Sequence, residues 1–153
     1  MAGTMRTFVL DTNCFTDASR TDAAADALAI FSARVAPRLY LSSVVAAELA
    51  AGVRSARERR SLNRLVLAPY SRRRRIVNPS ATAWQTLGTI LARLVEKDGL
   101  VLRDVRRGFA FDVLIAASCR EIGAVLVSAN TADLSRIARV FPFDFVAPYP
   151  DDE

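Results

Sequence analysis

The sequence predicts an α/β fold, a single domain with a mostly parallel central sheet flanked by helices. Strand-length apolar runs alternate with longer stretches of helical period, the pattern of parallel strands joined by crossover helices. The chain has 153 residues, of which 52% are hydrophobic, enough for one domain with a sizeable core. The first apolar run, Phe8-Val9-Leu10, gives way at once to Asp11-Thr12-Asn13. That puts a carboxylate where a strand leaves the core, and open α/β sheets bind ligands at the carboxyl ends of their strands.

The elements follow in order. Residues 7–11 form the first strand. Thr21-Asp22 caps a helix whose apolar stripe is Ala24, Leu28, Phe31 and Val35, and Pro37 ends it. Leu39-Tyr40-Leu41 is a second strand. Ser42 or Ser43 caps a helix over residues 44–51, stopped by Gly52. Residues 54–66 form a helix with a very basic outer face, broken by Pro69. Ser71 and the run Arg72-Arg73-Arg74-Arg75 make an exposed connection into a short strand, Ile76-Val77. Ser80 caps a helix reaching about Lys97, with Trp84, Leu87, Leu91 and Leu94 or Val95 on one face. Asp98-Gly99 turns the chain, and residues 100–108 are ambiguous. Residues 109–122 are helical and end at Gly123. Residues 124–128 are a strand, 132–140 a helix, and 143–146 a last edge strand. One domain thus covers residues 1–147, and 148–153 form a short acidic tail that frays.

No apolar run approaches the roughly 18–20 residues that span a bilayer. Asp11 also interrupts the only apolar run near the start, so no signal peptide is expected. The chain reads as cytoplasmic and free of membrane. Cys14 and Cys119 sit among apolar neighbours and read as small core residues, not a disulfide framework. The net charge is +5, and Lys97 is the only lysine. Arginine presents a planar fork suited to phosphate, and a basic balance favours a polyanionic partner. The chain has no histidine, which removes the commonest general base and histidine-ligated zinc.

Four acids stand beside apolar segments. Asp11 either caps a turn or helix, or binds a metal, with Thr12 and Asn13 able to orient its carboxylate. Glu48 is the only charge in an otherwise apolar or small stretch; it marks either a thin wet face or a site. Asp112 lies in Phe109-Ala110-Phe111-Asp112-Val113-Leu114-Ile115, where a charge needs the helix dipole, a partner, or both. Asp133 follows a strand in Ser128-Ala129-Asn130-Thr131-Ala132-Asp133, as a first-turn acid or a site residue, and Asn130 is a cap candidate. Converging carboxylates without histidine suit the hard-oxygen preference of Mg2+ and Mn2+.

At these residues the chain resembles the PIN-domain family, especially its VapC-type toxin ribonucleases. The matching segments, in order, are Val9-Leu10-Asp11-Thr12-Asn13, Ser43 through Glu48-Leu49 to Gly52, Asp112-Val113-Leu114-Ile115-Ala116-Ala117, and Val127 through Asn130 and Asp133 to Leu134. The resemblance implies a PIN-like domain with catalytic Asp11, Glu48, Asp112 and Asp133. It makes Asp11 and Asp112 the ligands of Mg2+ (or Mn2+), and Thr12 the hydroxyl that steadies the first carboxylate. It implies a homodimer held in check by a cognate antitoxin protein. The last motif often has an acid where this chain has Asn130, so either Asn130 or Asp133 is the fourth site residue. Ser128 stands where threonine is usual.

The expected activity is metal-dependent endoribonuclease cleavage of an RNA substrate by a metal-activated water, as the toxin of a type II pair. Arg54, Arg57, Arg59, Arg60 and Arg64, with Arg72, Arg73, Arg74 and Arg75, then offer a track for the RNA backbone. One alternative is a PIN-like module that binds RNA or protein without cutting. Another is a haloacid-dehalogenase-like phosphatase, which usually wants a second acid where Asn13 stands.

Overall fold

The computed structural model describes residues 5–151. The strands are β1 (Thr7–Leu10), β2 (Leu39–Ser42), β3 (Ile76–Val77), β4 (Ala124–Val127) and β5 (Phe145–Val146). They form one sheet in the order β3-β2-β1-β4-β5, and every neighbouring pair is parallel. The helices are α1 (Thr12–Ala18), α2 (Asp22–Val35), α3 (Ser43–Gly52), α4 (Ala56–Leu62), α5 (Ala68–Arg72), α6 (Ala81–Asp98), α7 (Arg107–Ile122) and α8 (Thr131–Ala138).

Side-chain alternation along the strands builds two cores. Val9, Leu41 and Leu126 point to one face and pack with Val45 of α3, Ile90 and Leu94 of α6, Leu114 of α7, and Leu134 and Ile137 of α8. Phe8, Leu10, Val125 and Val127 point to the other and meet Cys14 of α1 with Phe31 and Val35 of α2. A sheet buried on both faces explains why its strands read as continuous apolar runs.

The expected caps are in place. Thr21, Ser42 and Ser80 each accept a hydrogen bond from a backbone amide in the first turn of the helix that follows. Gly99 and Gly123 close α6 and α7 at φ 68° and 67°, left-handed backbone that costs glycine nothing.

Four features depart from the sequence reading. Helix α1 is unforeseen: its segment is rich in weak helix formers, but Asp11 caps it and Cys14 anchors it in the core. Pro69 does not break the basic helix. A π-helical stretch, Asn63–Leu67, follows α4, and Pro69 falls in the first turn of α5, where its missing N–H costs nothing. Trp84 is 56% exposed, because α6 turns Ala83, Ile90 and Leu94 inward. Beyond β5, Tyr149 stacks on Phe31 with ring centroids 5.1 Å apart, and Arg34 donates to the Pro150 carbonyl, so the expected fraying does not begin at residue 148. The tail's last residues, Asp152 and Glu153, lie outside the described residues.

The strand order fixes where a site can form. From β1 the chain moves outward through β2 and β3, then crosses back to β4 and β5 on the other side. The connections leaving β1 and β4 therefore diverge, opening a crevice at the carboxyl ends of those two strands. Leu10 and Val127 are register partners, so Asp11 and Ser128 emerge side by side at its floor.

Candidate active site

Asp11 is 3% exposed and is held by three donors. The Thr12 amide donates to its Oδ1 at 2.8 Å, and the Ser128 hydroxyl and Asn13 side-chain amide donate to its Oδ2 at 2.6 and 3.3 Å. The capping reading holds for this residue, which caps α1 and also lines the cleft described below. The Ser128 oxygen also accepts from the Asn13 side-chain amide at 2.9 Å and the Asn130 backbone amide at 3.1 Å. Ser128 is thus the hydroxyl that steadies the first carboxylate. The Thr12 hydroxyl, expected in that role, donates instead to Glu48 Oε1 at 2.9 Å.

Asp112 comes from α7, in which every residue from 112 to 119 is buried. A helix buried all round leaves a carboxylate no wet face, and Asp112 is 9% exposed. Its Oδ2 accepts from the Asn130 side-chain amide at 2.9 Å, and the same amide donates to Asp133 Oδ2 at 3.1 Å. Asn130 and Asp133 therefore both belong to the cluster, Asn130 as the bridge between two acids. Burial, and then the charges of Asp11, Glu48 and Asp133, push the Asp112 carboxyl up to about 8, against the pull of Asn130. Burial also raises the half-buried Glu48; the Thr12 hydrogen bond and the charge of Arg107 oppose it.

The four acids line one cleft of about 380 Å³ with Thr12, Asn13 and Asn130. Among the described residues, no salt bridge joins any of these acids to an arginine. No group of three or more acidic or cysteine side chains among them forms a ready cage for a metal ion. The donor set matches the habit of Mg2+, which is bound through one or two carboxylates together with water and substrate phosphate. Asp11 and Asp112, the two most buried acids, are the pair such an ion would engage, and its charge would offset the repulsion around Asp112.

The tetra-arginine run is not brought to this cleft. Arg72, Arg73, Arg74 and Arg75 lead into β3 from its amino end, whereas the acids gather where strands end. Arg75 is half-buried and donates to the Ala36 carbonyl; Arg72, Arg73 and Arg74 are exposed. Sequence reasoning missed Arg106, Gly108 and Phe109, which line the cleft just before Asp112. They fall where residues 100–108 looked ambiguous; a one-turn helix, Leu102–Asp104, is followed by α7 from Arg107. The pair Arg106-Arg107 shortly before a buried acid was the available signal.

Replacing Asn130 by alanine removes both bridging hydrogen bonds. Activity or metal affinity is expected to fall roughly 10–100-fold, the usual cost of losing a group that orients a metal ligand. Titrating cleavage against Mg2+ checks this, and an unchanged curve refutes the bridging role.

The model of the PIN-domain family matches residues 8–140. None of the curated proteins compared with this sequence matches it. Among solved structures, DNA-bound VapBC from Salmonella typhimurium aligns at TM-score 0.69 and 22% identity, over 95% of this chain and 100% of the other. VapBC2 from Rickettsia felis, bound to a DNA fragment from its promoter, aligns at TM-score 0.64 and 25% identity, over 92% and 98%. FitAcB from Neisseria gonorrhoeae aligns at TM-score 0.67 and 17% identity, over 93% and 98%.

Proposed function

The chain belongs to the PIN-domain family, and from that premise we propose that it is a Mg2+- or Mn2+-dependent endoribonuclease, the toxin of a type II toxin–antitoxin pair. The observation that carries this reading is Asp112: a nearly buried carboxylate facing three other acids, with an amide bridge and, among the described residues, no salt bridge to an arginine. Such an arrangement is unfavourable in isolation and favourable around a dication.

Asp11 and Asp112 would hold the ion, which would supply acidification of a water and compensation of negative charge on the scissile phosphate. The chain's own residues do the positioning. Ser128, Asn13 and the Thr12 amide fix Asp11, and Asn130 fixes Asp112. Glu48, raised in pKa and oriented by the Thr12 hydroxyl, accepts the proton of the attacking water. Asp133, tied to Asn130, keeps the second side of the cleft acidic. The products are a 5′-phosphate and a 3′-hydroxyl.

Likeness to the VapBC and FitAcB structures supports a cognate antitoxin as partner, and the family resemblance supports a homodimer. The exposed Arg72, Arg73 and Arg74 serve RNA distant from the cut. Among the described residues no helix is long and apolar enough to cross a membrane, which agrees with a cytoplasmic site of action.

The test is cleavage of RNA by the purified chain. EDTA is expected to stop it, and Mg2+ or Mn2+ to restore it with 5′-phosphate ends. Cleavage that persists in EDTA, or none with either metal, overturns the proposal.

A further inference from the structure

Arg106 is the only basic residue lining the acidic cleft among the described residues. It is exposed, and its guanidinium has no ion pair, hydrogen bond or ring contact with any described residue. Its neighbour Arg107 is engaged otherwise, lowering the pKa of Glu48 and standing 6.0 Å from the Phe111 ring. Some arginines elsewhere are committed, Arg136 and Arg139 to Asp98, Arg34 to Phe31 and Pro150, and Arg120 to Phe141; others, such as Arg57, Arg72 and Arg74, are as free as Arg106 among the described residues but do not line the cleft. A free guanidinium at the mouth of a cleft of carboxylates is placed for an anion that arrives from outside.

The surface at Gly108, between Arg106 and Asp112 in the chain, is open. Gly108 lies one turn before Asp112 on the same face of α7 and lines the cleft. A Cβ built there meets no heavy atom within 4 Å, so no packing demands a glycine. Any side chain at this position would project over the approach from Arg106 to the acids.

Resting on the ribonuclease reading, we propose that Arg106 binds an RNA phosphodiester beside the one being cut, and that Gly108 keeps the path between that phosphate and the carboxylates open. Arginine suits the task because its planar fork pairs two phosphate oxygens at once. It acts by binding substrate at the cleft's positive rim, while the acids on the floor handle the cut bond.

The experiment is steady-state cleavage of a labelled single-stranded RNA oligonucleotide in Mg2+ at several salt concentrations. Arg106→Gln is expected to raise KM about tenfold with a smaller change in kcat, as for loss of one charge-assisted contact. Its log–log salt slope is expected to shrink by about 0.7, one phosphate's share on a single strand. Gly108→Leu, folded by circular dichroism, is expected to raise KM similarly while leaving the salt slope intact. Arg103→Gln, at an exposed arginine paired with Asp104 away from the cleft, should match the wild type. If the wild type cleaves but Arg106→Gln keeps its KM and slope, this inference falls and the ribonuclease reading stands. If the wild type cleaves no RNA, both fall together.

Discussion

Asp112→Asn is expected to lower RNA cleavage by roughly 10²–10³-fold or more, the scale seen when a group stabilising transition-state charge is removed, and at the same time to make the metal-free protein more stable. The two effects have one cause. Asparagine keeps the shape of the side chain and an oxygen for the Asn130 amide, but removes the charge repelled by Asp11, Glu48 and Asp133. A residue kept for packing would lose stability on replacement and leave catalysis alone. Asp11→Asn is expected to lose cleavage as well but to destabilise, because Asp11 accepts from three donors and an amide would present hydrogens to some of them. Initial rates in Mg2+ together with urea unfolding in EDTA separate the cases. Full activity in either variant would exclude that residue from the site.

The second large effect is on stability against pH. An unfolded aspartate titrates near its ordinary value of 3.8, whereas Asp112 in the fold releases its proton at about 8. Below the lower value the group is neutral in both states and costs nothing. Between the two, the folded protein holds a proton that the unfolded chain has lost, so stability falls as pH rises, by up to about 1.4 kcal/mol per unit. Across the window the loss amounts to several kcal/mol, and the raised Glu48 adds in the same direction. Asp98, held low by Arg136, acts below this window and does not mask it. In EDTA the unfolding free energy should therefore be clearly smaller at about pH 8 than at about pH 5. Saturating Mg2+ should flatten the profile by binding the ionised form, and Asp112→Asn should flatten it without metal. A metal-free wild type equally stable at both values would mean that Asp112 is not held in the environment described.

Much of the architecture was legible because it rests on local rules. Serine and threonine caps, glycine stops and alternating apolar runs each leave a signature within a few residues, so the parallel sheet and most helices were readable before their contacts were known. What escaped was set by tertiary context. Helix α1 has poor intrinsic propensity and exists because Asp11 caps it and Cys14 is buried. Trp84 looked like a core residue by type, but α6 is rotated so that Ala83, one position earlier, faces in. In the site, the acids were visible because a carboxylate in an apolar stretch is conspicuous. Their supporting bonds were not, since Ser128 to Asp11 and Thr12 to Glu48 span 117 and 36 residues. Arg106 was hidden by being one arginine in a chain full of them.

Asp11, Glu48, Asp112 and Asp133 enter the cleft from four separate stretches, and Ser128 and Asn130, which hold two of them, come just after β4. A growing polypeptide released from the ribosome before β4 has formed would carry three of the acids yet possess neither the strand that brings them to a common edge nor the bridge that steadies them. Partial translation products of this chain are therefore expected to lack an assembled cleft, which is completed only when synthesis is nearly finished.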